Sequence, residues 1–157
     1  MSYNPYTHAF ELGLTLHWSH DVDEMEGFEW NPETRVLTVL AGMGSIRERC
    51  TLAVAIVMLE RDVLDSIDGR AALFIECRRV AAGRLIDADR YAHLVDRVDH
   101  IPPADRGGWR MHAALLGVTK SILDIYMNHI SPTRRITPEA IITAASEAHT
   151  QPIQIVR

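Results

Sequence analysis

Three features of the sequence predict an α+β fold, with a small sheet ahead of a mostly helical chain. Apolar and polar residues alternate only within residues 14–40. A continuous apolar run, Leu52–Leu59, lies in the middle of a long stretch free of Gly and Pro. From Arg70 onward the apolar residues recur at three- and four-residue spacing. The first pattern belongs to strands and the other two to helices. With 157 residues the chain fits one domain or two small ones, and 47% apolar with 24% charged residues excludes wholesale disorder.

The elements follow in order. Tyr6–Leu12 after Pro5 reads as a short helix that Gly13 stops. Leu14, Leu16 and Trp18 alternate with Thr15 and His17, which predicts a first strand. Met25–Trp30 predicts a second, with Phe28 and Trp30 on one face. Asn31–Thr34 is a turn, and Arg35–Leu40 predicts a third strand, so residues 14–40 read as a three-stranded antiparallel sheet. Ser45 and Glu48 form an S-x-x-E capping box, which predicts a helix from Ile46 to about Ser66. Its Leu52–Leu59 centre is apolar on every side, so this helix is expected to be buried all round, between the sheet and other helices. A second long helix spans Arg70–Ile86, and Asp87 or Asp89 caps a third that runs to about Val98. Ile101-Pro102-Pro103-Ala104 is the clearest linker. Residues 1–100 therefore read as one domain and 104–150 as a helical extension, separate or part of the same domain. Within that extension Gly108–Leu116 and Lys120–Ile130 flank a Gly117–Thr119 turn. Thr137-Pro138-Glu139 opens a last helix, and the tail begins at Gln151.

Charge and cysteines narrow the function. The net charge is −5, and residues 1–34 hold seven acids with no Lys or Arg. That balance argues against nucleic acid as the main partner, since phosphate binding draws on Lys and Arg. Cys50 and Cys77 stand in apolar surroundings and read as buried thiols, not a disulfide framework. The sequence shows no signal-peptide pattern and no uncharged run long enough for a membrane span, which predicts a cytoplasmic protein with no membrane partner.

The stretch Gly27-Phe28-Glu29-Trp30, a turn, then Arg35–Leu40, followed by Arg49-Cys50-Thr51-Leu52-Ala53, resembles the ImmA/IrrE family of small zinc peptidases of phage and prophage type. Leu59–Asp62, and Glu76 ahead of Ala81–Ile86, carry the resemblance further; it covers about residues 5–95. It implies a zincin-like core, with the sheet packed on a helix that bears H-E-x-x-H. In that motif two histidines at i and i+4 converge on zinc and the glutamate polarises the metal-bound water. Here Val54-Ala55-Ile56-Val57-Met58 stands in its place. The resemblance puts the two metal ligands at Val54 and Met58, the base at Ala55 and a third ligand at Glu76. Valine and alanine bind no metal, and the thioether of Met58 is a poor zinc ligand. As written, the chain carries no intact catalytic or zinc site and no cofactor. Natural loss and deliberate removal predict the same residues.

The resemblance therefore implies a peptidase fold without peptidase activity. Active members relieve a helix-turn-helix repressor, so the expected partner is a repressor-like protein held between the sheet and the 46–66 helix. Two alternatives come from other classes. One is an active zinc peptidase with displaced ligands, among which His17, His20 and Glu76 are candidates. The other is a small DNA-binding regulator. Met111–Ile130 resembles a helix-turn-helix pair through Leu115, Val118, Ile122, Leu123 and Tyr126. Its second helix carries one base and one acid, Lys120 and Asp124, which disfavours DNA.

Overall fold

Asn4 starts the first helix, α1 (Pro5–Glu11): its side-chain oxygen accepts from the backbone N–H of Tyr6 at 3.0 Å and of Thr7 at 3.4 Å. The computed structural model describes residues 2–64, 70–98 and 108–130. The linker expected at 101–104, the helix expected from Thr137 and the tail from Gln151 lie outside these residues. Gly13, at φ +70, closes α1 with left-handed backbone, and the Leu14 N–H returns to the Ala9 carbonyl at 3.0 Å.

Three strands follow: β1 (Thr15–Ser19), β2 (Phe28–Asn31) and β3 (Val36–Leu40). The strand order is β1-β3-β2, with β2 antiparallel to β3 and β1 parallel to β3, Thr15 facing Val36 and Ser19 facing Leu40. The sheet is therefore mixed, which corrects the antiparallel expectation. Residues 20–27 do not turn tightly; they step over the end of β3. Ala41 N–H bonds the Ser19 carbonyl on one side of that end, and Leu40 N–H bonds the Gly27 carbonyl on the other, both at 2.9 Å. Two strand spacings, about 10 Å, are easily crossed by such a segment. The β2–β3 turn is tight: Asn31 Oδ1 accepts from Glu33 and Thr34 N–H groups at 3.0 and 3.1 Å.

Helix α2 (Ser45–Glu60) lies against the sheet on one side and α3 (Arg70–Leu85) on the other, with α1 also in contact. Leu52 to Met58 are all buried, as the apolar run predicts. The capping box does not form. Gly44, at φ 86, occupies the cap position, Ser45 is already helical, and no side chain caps the helix. Glu48 instead accepts from the Tyr6 hydroxyl at 2.6 Å, tying α1 to α2; burial and this bond push the Tyr6 phenol up to about 12.

Helix α2 also ends earlier than expected, at Glu60 and not near Ser66. The Asp62 N–H bonds the Leu59 carbonyl at 3.2 Å and the Val63 N–H bonds the Met58 carbonyl at 3.0 Å, with Asp62 at φ 52. This is the turn in which glycine is preferred, because a Cβ crowds left-handed backbone. Asp62→Gly is expected to stabilise the protein by roughly 0.5 kcal/mol in urea denaturation. A loss of stability would mean that the Asp62 carboxylate contributes more than its backbone strain costs.

Asp87 caps α4 (Ala88–Val98) by accepting from Arg90 N–H at 2.9 Å, which decides between the two expected caps. Helices α5 (Gly108–Leu115) and α6 (Lys120–His129) complete the described fold, with Thr119 as the α6 cap. Helix α6 packs on α3, and Leu123 and Tyr126 join the same buried cluster as Leu37 of β3 and Ile56 of α2. The Arg49 guanidinium donates to the Gly117 carbonyl at 2.7 Å and to the Tyr3 carbonyl at 3.0 Å, pinning the α5–α6 turn and the N-terminal segment to α2. Cys50 and Cys77 are both buried free thiols, as expected, and burial pushes each up from its ordinary value. No described helix is long and apolar enough to cross a membrane.

Candidate functional site: a cleft above Val54

Val54 sits at the wall of a cleft of ≈ 280 Å³. The segment leading into β2 supplies Gly27 and Phe28, α2 supplies Cys50, Thr51 and Val54, α3 supplies Phe74 and Arg78, and α6 supplies Ser121 and Ile122. Met25, Glu26 and Arg47 also line it. Gly27 lets the chain approach α2 closely: its φ is +76, and a Cβ there would meet the Thr51 methyl at 3.1 Å. One wall is held by Arg78, which donates to the Ser121 hydroxyl at 2.9 Å and lies 5.6 Å from the centre of the Phe74 ring. Arg47 is held by the Glu24 carbonyl at 2.8 Å.

The four positions singled out by the resemblance do not share one open wall. Met58 lines a second cleft, of ≈ 270 Å³, with Leu12, Leu14, Trp30 and Leu64. Ala55 is 0% exposed and lines neither of these clefts. The zinc that the resemblance implies does not fit the residues present: Val54, Ala55 and Met58 offer it no nitrogen, carboxylate or thiolate, and all three are packed in the core.

Glu76 is held elsewhere. Its carboxylate takes a two-pronged bond from Arg79, at 2.7 and 2.9 Å, with Arg61 at 3.8 Å. The Arg79 bonds hold the Glu76 carboxyl below its ordinary 4.5; desolvation opposes them, and the Arg79 and Arg61 charges lower it further. A depressed carboxylate stabilises the fold above its unfolded pKa, and that contribution is lost as pH falls through the folded value. The Glu76 carboxyl carbon is accordingly expected to titrate by NMR with a midpoint below 4.5, and Arg79→Gln to return it toward 4.5. An unshifted midpoint in the unaltered protein would show that the ion pair does not persist in solution.

The alternatives place their residues as follows. His17 and His20 are both exposed, and among the described residues no group of three or more His, Cys, Asp or Glu side chains is placed to hold a metal ion. In the α5–α6 pair, Ile122, Leu123, Tyr126 and Met127 are buried in the core. At the start of α6, where a recognition helix would meet base edges, Lys120 lies 3.7 Å from Asp124 and Ser121 is bonded by Arg78.

Sequence reasoning missed Arg47, Arg78 and Phe74. Arg78 and Arg79 are neighbours in the chain, and the turn of α3 separates them, Arg79 toward Glu76 and Arg78 toward Ser121 of α6. No protein family, curated protein or solved structure matches the chain.

Proposed function

We propose that this protein is a catalytically inactive member of the ImmA/IrrE peptidase type, a phage or prophage regulator that binds a helix-turn-helix repressor in the cleft above Val54. The observation that supports this reading is a combination. A cleft opens between the β2 segment, α2, α3 and α6, while the α2 stretch that would carry the zinc chemistry is filled with packed apolar side chains. Binding survives such a replacement and hydrolysis does not: amide cleavage requires a lowering of the barrier by more than about 8 kcal/mol, and Val54, Ala55 and Met58 offer neither a metal ligand set nor a base. Packing apolar atoms where two imidazoles and a carboxylate stood also removes the cost of keeping those groups buried.

The test is site-directed photocrosslinking of the full chain in a lysate of cells that carry its gene. A benzophenone side chain at Met25, 96% exposed on the cleft rim, is compared with one at Phe10, 81% exposed on α1. The expected product at Met25 is a helix-turn-helix repressor identified by mass spectrometry, with none at Phe10. Equal capture at both positions, or a product at Met25 of another class, contradicts the proposal.

A further inference from the structure

The cleft has an electrostatic character that its apolar floor does not explain. Arg47 and Arg78 both line it, and each is held by a neutral partner: a backbone carbonyl for Arg47, the Ser121 hydroxyl for Arg78. Among the described residues neither guanidinium has a carboxylate within 4.0 Å, although Arg61, Arg79 and Arg84 all do. Two cations thus line one cleft, neither of them ion-paired with a described carboxylate. The floor beside them is apolar, formed by Val54, Phe74 and Ile122. Apolar surface also reaches its rim, where Met25 is 96% exposed and Phe74 is 37% exposed. Among the described lining residues Glu26 is the one acid, and it disfavours a second negative charge beside it.

We infer that the cleft recognises a polypeptide segment in which a Glu or Asp side chain lies next to apolar residues, the carboxylate between Arg47 and Arg78 and the apolar side chains on Val54, Phe74 and Ile122. The inference rests on the reading of this cleft as a partner site and names the chemistry of what enters it. Guanidinium forks match a carboxylate in two-pronged geometry, and such charged bonds are stronger than neutral ones, most of all beside low-dielectric walls. A volume of ≈ 280 Å³ admits a few side chains, close to the lower end of ligand pockets at about 300 Å³. The exposed apolar side chains of Met25 and Phe74 suit a polypeptide more than a small anion.

The experiment selects a randomised dodecapeptide display library on the immobilised full chain and maps the enriched peptides by amide NMR shifts. Enriched sequences are expected to carry Glu or Asp beside an apolar residue and to shift the amides of Gly27, Thr51 and Ser121. Replacing the peptide acid with its amide is expected to weaken binding to the unaltered protein about tenfold, and Arg47→Gln and Arg78→Gln by a similar factor each. The peptide change leaves the protein untouched, so loss of fold cannot produce that result. Peptides that shift the cleft amides but carry no acid, or bind equally well as amides, overturn the carboxylate inference and leave the partner cleft standing. No enrichment, or shifts confined to other surfaces, overturns both.

Discussion

Ala55→Glu alone is expected to destabilise the fold by about 3–5 kcal/mol in urea denaturation at pH 7. Ala55 is 0% exposed and lies within the buried cluster between Val54 and Ile56. A carboxylate there would be charged, desolvated and without a metal, and the surrounding apolar side chains supply no donor. The pH dependence has a definite sign. The buried carboxyl would hold its proton to higher pH than the same group in the unfolded chain. The variant's stability therefore declines as pH rises from the ordinary carboxylate range toward the folded midpoint, and its deficit is smallest in acid. A variant as stable as the parent at pH 7 would mean that position 55 reaches water, contrary to the packing of α2.

Leu123→Ala is expected to cost about 2–5 kcal/mol and to shift one cooperative transition as a whole. Leu123 is 0% exposed on α6, which packs against α3, and it belongs to the same buried cluster as Leu52 and Leu37. The sequence left open whether the 104–150 extension stands apart from residues 1–100. A shared core predicts that a cavity in α6 lowers the stability of the sheet and α2 as well. Two transitions, of which only a smaller one moves, would show that the α5–α6 pair folds separately.

The parts of the fold legible in the sequence were those set by local chemistry. Leu52 to Met58 needed apolar partners on every side and received them from the sheet, α1 and α3. Alternation placed Leu37 and Val39 on the covered face of β3. Strand order was not legible, because a period of two tells which face a side chain takes and nothing about which strand lies alongside; hence the parallel β1–β3 pairing. The start and end of α2 depended on the left-handed backbone at Gly44 and Asp62, which an S-x-x-E pattern does not reveal. At the candidate site, the burial of Val54 and Ala55 was legible from the apolar run alone, whereas their reading as an emptied motif rests on the resemblance. The cationic wall was not: Arg47 lies on α2 and Arg78 on α3, and only the packing of these two helices brings both to one cleft.

The central claim is that α2 is a peptidase helix whose zinc site has been replaced by core. Its most direct test is elemental analysis of the full chain and of its Val54→His/Ala55→Glu/Met58→His variant, each incubated with excess zinc and desalted. The account predicts near-zero zinc in the unaltered chain and about one zinc per chain in the variant, whose folding then depends on the metal. Stoichiometric zinc in the unaltered chain, or a variant that folds and binds none, would contradict it.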